Sequence, residues 1–221
     1  NFAMAKVYNW WGSGEQNRGR VISAYESIDK VTDLEARFIK AAYERRVNGS
    51  IIKQDQIMDA LINDYPEYWQ LRVNSGYIKN QLLDATGSEK RWNEALEIYP
   101  NSYEALRSLA FLHIETGDFT MLPIENRDLE KAENYFERIR EIDPNSSRPD
   151  RYLGNIYRKQ NDLDKALAAY QRSNNMIEDK ESNPYRNGLL MEGHVYTFKG
   201  EYESGREKYY EGMQSAIKNK D

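Results

Sequence analysis

The chain contains no cysteine in its 221 residues. Disulfides, thiolate zinc sites and a cysteine nucleophile are therefore excluded. That absence is compatible with any compartment, with the cytoplasm favoured. His113 and His194 are the whole histidine supply, so neutral-pH proton shuttling has few candidates. Six prolines and few consecutive β-branched residues argue against a sheet-rich fold. No apolar run approaches the roughly 20 residues of a membrane helix, and no membrane partner is expected. A net charge of −5 gives no general reason to expect nucleic acid. The sequence opens on Asn1 without a signal-like segment, which reads as a processed or excised piece of something longer.

What is present suits a helical protein with much surface for its mass: 39% of residues are hydrophobic and 30% charged. Seventeen tyrosines against six phenylalanines favour rings that keep one end wet. The clearest stretch is DRYLGNIYRKQNDLDKALAAYQRSN, residues 150–174. Leu153, Gly154 and Tyr157 share one face of a first predicted helix, and Asn161-Asp162 breaks the pattern. Ala166 and Tyr170 then share a face of a second. Gly154 and Ala166 carry almost no side chain, so the two helices can approach closely while Tyr157 and Tyr170 fill the space around the contact. A bulky residue at Gly154 would overpack the pair.

The spacing L-G-x2-Y, then Ala, then an aromatic four residues on, resembles the tetratricopeptide repeat. Stepping along the chain by about 34 residues gives repeats at roughly 1–34, 35–68, 69–102, 103–146, 147–180 and 186–219. The expected fold is all-α, a right-handed α-solenoid of about six antiparallel helix pairs forming one domain over 1–221. The first repeat is the weakest match: NFAMAKVYNWW reads as a helix with Trp10 and Trp11 as packing or cover, GSGEQNRG as a turn and RVISAYESI as the second helix. GSGEQNRG lacks the Lys-Ser/Thr of a phosphate loop. In 35–68, Leu34, Phe38, Ala41 and Ala42 and then Ile57, Met58, Leu61 and Ile62 form helical stripes separated by Asn48-Gly49-Ser50. In 69–102, Gly76 and Trp92 take the close-packing and aromatic positions, with Lys79 and Ser88 as departures. Repeat 103–146 has Leu109, Ala110, Gly117-Asp118, Ala132, Phe136 and Ile139. It also carries an inserted loop, FTMLPIENRD, whose Phe119, Met121, Leu122 and Ile124 suggest folding back or meeting a partner. Gly193, Tyr196, Gly200, Gly205 and Tyr209 mark the last repeat. Arg206, Glu207, Lys208, Lys218 and Lys220 there favour a helix that caps itself.

Catalytic and metal motifs are absent: no H-E-x-x-H, no G-x-S-x-G and no nucleotide fingerprint. His113 sits where the resembled family places a packing tyrosine, so a core role is expected. No enzyme activity, cofactor or metal is anticipated. The resemblance implies first helices lining a concave surface, with the residue after the close-packing position pointing into it. Those residues are Tyr43, Tyr77, Phe111, Asn155 and His194. Beside them Arg151, Asn155 and Arg158 fall at i, i+4 and i+7 on one helical face, with Arg107, Arg148 and Lys159 as plausible neighbours. Guanidinium groups hold carboxylates bidentately and an Asn amide holds a peptide backbone. The expected function is a protein-interaction scaffold binding a peptide, with an acidic or C-terminal carboxylate segment as ligand. Some relatives clamp chaperone C-termini this way. Arg151 and Asn155 match the first half of that clamp, but Met191 replaces its second Asn. The alternative is a structural, regulatory or self-associating segment of a larger signalling or regulatory protein.

Overall fold

The computed structural model describes residues 14–114 and 121–218. Those residues form eleven α-helices, two short 3-10 turns and no strand. They divide into two compact units. The first comprises the described residues up to Ala105 together with Met121 and Leu122, and the second Leu106–Ile114 and Pro123–Lys218.

The first unit begins with α1 (Gly14–Tyr25), followed by α2 (Asp33–Arg46), α3 (Ile51–Asp64), α4 (Trp69–Gln81) and α5 (Ala85–Ile98). The expected GSGEQNRG turn is a correction: Gly14 to Gly19 are the opening turns of α1. Glu15, Gln16 and Arg18 are good helix formers, and they offset the roughly 1 kcal/mol that an exposed glycine such as Gly19 costs in a helix. The first-repeat residues Trp10 and Trp11 lie outside the described residues. Helix starts follow capping chemistry. Thr32 and Glu35 close a reciprocal capping box at α2, while Ser50 and Asp84 accept from the third backbone N–H of α3 and α5. Gly49, at φ +72°, turns the chain between α2 and α3. The core is a cluster of Phe38, Ala41, Met58, Leu61, Ile62, Leu71 and Ile78. The two sequence departures in the α4–α5 hairpin have clear partners. Ser88 is fully buried, with its hydroxyl donating to Asp84 O, and Lys79 reaches Asp55 at 2.6 Å.

The second unit holds the rest of α6 (Tyr103–His113), then α7 (Leu129–Ile142), α8 (Arg148–Lys159), α9 (Leu163–Asn175), α10 (Asn183–Phe198) and α11 (Tyr202–Lys218). Asn161 takes a left-handed φ of 62°, and Asp162 caps α9 by accepting from Lys165 N, so the Asn-Asp pair is the turn that its chemistry dictates. His113 is buried, its Nδ1 accepting from the backbone N–H of Asp128. Gly117, Asp118 and the insertion's Phe119 lie outside the described residues. Leu122 is buried and Ile124 exposed in a 3-10 turn. The self-capping reading of α11 needs amending. Lys208 turns inward to Glu192, and Tyr202, Tyr210, Met213 and Ile217 stand exposed beside the charges.

One contact recurs. In three hairpins a glycine of the first helix receives a ring sixteen residues later: Gly76 and Trp92, Gly154 and Tyr170, Gly193 and Tyr209. A Cβ on these glycines would lie 2.2, 2.5 and 2.4 Å from ring atoms, closer than packed atoms allow. The missing side chain is what lets the helices meet.

Candidate functional site

The ring in each hairpin underlies the residue that follows the glycine. In the first unit, Tyr77 stands edge-on to Trp92 at 5.5 Å between centroids, and Tyr43 lies 4.2 Å from Tyr25. Both are half-buried. A cavity of about 320 Å³ opens beside Tyr77, bounded by α1 to α4.

In the second unit the remaining expected residues form a physically continuous series. Arg107 lies over the Phe111 ring at 5.2 Å, and Phe111 meets Tyr152 edge-on at 5.0 Å. Tyr152 stacks on Phe136 at 4.9 Å, and the Arg151 guanidinium lies 5.5 Å from the Tyr152 ring centre. Asn155 accepts a 2.6 Å hydrogen bond from the Tyr170 hydroxyl, and His194 stands edge-on to Tyr209 at 5.8 Å. Asn155 and Arg158 share a smaller cavity of about 260 Å³ with Tyr152, Lys159 and Met191. Phe111 is a correction to the expected ladder. It is only 6% exposed, because Phe136 and Tyr152 enclose its ring, so it is a packing residue and not an open anchor.

The electrostatics single out the arginines. Arg37, Arg91, Arg140 and Arg172 each hold a carboxylate. Arg107, Arg151 and Arg158 form no ion pair among the described residues, and the Nε atoms of Arg107 and Arg158 are buried without a hydrogen-bond partner. Burial pushes the Tyr170 hydroxyl up to about 12 against the opposing pull of Arg158. It therefore stays protonated and donates to Asn155. Burial lowers the pKa of His194, and the positive charge of Arg158 lowers it further. An anion seated between them would offset that charge, so the His194 titration midpoint should lie below the ordinary 6.5 and rise when an acidic peptide binds. Histidine Cε1–H NMR titration with and without peptide reads both values; a midpoint that falls or stays fixed on binding would contradict an anion near His194.

Sequence reasoning missed Tyr152, which joins Phe111 to the α8 arginines, although its place beside Arg151 was the available signal. It also missed Leu190 and Phe198, exposed on α10 and spaced four residues either side of His194. Among the described residues no group of three His, Asp or Glu could hold a metal ion, and no helix is long and apolar enough to cross a membrane.

The tetratricopeptide-repeat family model matches residues 153–179, the α8–α9 hairpin in which Gly154 receives Tyr170. That hairpin is a tetratricopeptide repeat. No curated protein sequence matches the chain significantly. Solved structures share the fold over more of the chain. MamA from Desulfovibrio magneticus superposes with a TM-score of 0.68 at 14% identity, covering 86% of this chain and 99% of that one. YrrB, a tetratricopeptide protein with an unusual peptide-binding site, gives 0.63 at 13% identity, with coverages of 89% and 92%. A chain of the Cut9–Hcn1 hetero-tetramer of the APC/C gives 0.56 at 11% identity, covering 98% of this chain and 42% of that one. At these identities the likeness is one of fold. It agrees with an all-α tetratricopeptide solenoid architecture.

Proposed function

We propose that this tetratricopeptide protein is an interaction scaffold, and that the second unit binds an acidic peptide segment or a C-terminal carboxylate along Arg107, Arg151, Asn155 and Arg158. The observation that carries the proposal is the set of three guanidinium groups without acidic partners. Charge-assisted bidentate bonds to a carboxylate are the strongest that such groups make, and burying the Nε atoms without a partner carries a cost that a ligand would relieve. Asn155 has its oxygen occupied by Tyr170, which leaves its amide nitrogen for a peptide carbonyl. Leu190 and Phe198 flank His194 on the same helix and suit an apolar residue next to the acidic one. Tyr43 and Tyr77 belong to the same reading as half-buried rings of the first unit. That YrrB has a peptide-binding site and that Cut9 assembles with Hcn1 support a protein ligand by analogy of fold.

The test is calorimetric titration of the full chain with a short Asp/Glu-rich peptide in free-acid and C-amidated forms. The Arg151→Glu, Arg158→Glu double variant should bind at least about tenfold more weakly, equivalent to about 1.4 kcal/mol, and wild-type affinity should fall with salt. A selective loss with the amidated form identifies the terminal carboxylate as the anchor. Equal affinity of wild type and double variant would remove the arginine face from the account.

A further inference from the structure

The cavity of the first unit lies where the repeat lacks its own rings. In the α8–α9 hairpin, the positions around Gly154 are Tyr157, Ala166 and Tyr170, two rings and a small residue. At the matching positions of the α2–α3 hairpin, around Ala42, stand Arg45, Gln54 and Met58. All three line the cavity of about 320 Å³. In each hairpin from α4–α5 onward an aromatic side chain occupies the Met58 position: Trp92, Phe136, Tyr170 and Tyr209. Here a flexible methionine and two long polar chains leave the space open.

The lining has two characters. Phe38, Met58 and Ile78 make an apolar floor, all of them buried. Arg45, Gln54, Asn74 and Gln81 supply polar groups, and Arg45 donates to Gln81 Oε1 at 3.3 Å. Gln81 is exposed, which puts solvent at the mouth. A cavity of about 150 Å³ already admits benzene, so this one accommodates a single ring with room for its attachment. Where the chain puts a phenol at the matching position, the hydroxyl finds a polar partner: an amide oxygen in α8–α9, and in α10–α11 the Thr197 hydroxyl at 3.3 Å. The polar rim here offers such partners, which a phenylalanine ring would leave unused.

We infer that this cavity is a receptor for a tyrosine side chain of a bound partner, the phenyl ring on Phe38, Met58 and Ile78 and the hydroxyl among Arg45, Gln54 and Gln81. The inference stands apart from the arginine face of the second unit, which reads acidic groups.

N-acetyl-tyrosinamide is the probe, with N-acetyl-alaninamide as control. The reporter is the Met58 methyl resonance of the full chain, and the exposed Met213 methyl is the internal reference. A saturable Met58 shift in the millimolar range with the tyrosine compound alone, Met213 unmoved, is the expected result. Met58→Trp should fill the space and weaken the probe at least tenfold, read by calorimetry. No Met58 shift at several millimolar overturns the inference, as does undiminished binding to a folded Met58→Trp chain. If that variant does not fold, the wild-type methyl titration decides the matter. An acidic peptide without tyrosine tests the other face separately, so either site can fail while the other stands.

Discussion

Trp92→Ala should lower the unfolding free energy by about 3–5 kcal/mol, the range for deleting a large buried aromatic side chain. Trp92 is fully buried, and its Nε1 donates to Val73 O at 3.1 Å. The substitution would remove a ring that fills the α4–α5 interface, together with its side-chain hydrogen bond to an α4 carbonyl. Urea denaturation followed by far-ultraviolet circular dichroism measures the loss. The same contact sets up a coupling test. Gly76→Val alone should be costly, because its Cβ would fall 2.2 Å from Trp92 Nε1. In the Gly76→Val, Trp92→Ala double variant the new side chain enters the vacated space, so the two costs should be clearly less than additive. Full additivity would show that the glycine and the ring do not share one packing contact.

Lys208→Ala is expected to cost about 3 kcal/mol, because it strands a buried carboxylate. Glu192 is 2% exposed and held by Asn174 Nδ2 and by Lys208 Nζ at 3.2 Å. Asn174 in turn fits only because Gly188 has no side chain, a Cβ there lying 1.6 Å from Asn174 Oδ1. Replacing both ends with apolar residues, Lys208→Met with Glu192→Leu, should cost less than Lys208→Ala alone, since no charge is then left unpaired. Burial lowers the pKa of Lys208, but Glu192 and Glu211 outweigh it, and the net shift is upward. A lysine raised on folding contributes stability that is fully present below its unfolded value near 10.5. That contribution is lost as pH rises through the folded value. The gap between wild type and Lys208→Ala should therefore be constant through neutral pH and narrow in strong alkali, as denaturation midpoints at several pH values would show. A gap that stayed unchanged into strong alkali would point to a different partner for Glu192.

The repeat itself was legible because its determinants are local and steric. Gly154, Ala166 and Tyr170 announce a close helix pair in any context that keeps their spacing, and Gly76 with Trp92 announces it again. Caps such as Asp162 and turns such as Asn48-Gly49-Ser50 are equally local, since they answer to backbone groups a few residues away. The α1 start was misread because glycine is evidence for a turn only when a neighbouring helix does not extend through it. The surroundings of Lys79 and His113 were not legible either, since Asp55 and the Asp128 backbone come from other segments.

For the candidate site, the sequence by itself determined which residues stand on the first helices: Tyr43, Tyr77, Phe111, Arg151, Asn155, Arg158 and His194 follow from one register. Only the tertiary structure decided what each has left to offer. Phe111 is enclosed by rings from α7 and α8, the oxygen of Asn155 is taken by Tyr170, and the arginines find no acid within reach. The same holds for the cavity beside Met58. That Arg45, Gln54 and Met58 depart from the repeat is plain in the letters, but whether neighbours close the gap or leave it open depends on α4 packing against α2 and α3. Register is a property of one strand of covalent chain. Exposure, pairing and empty space are properties of the groups that other segments bring to meet it.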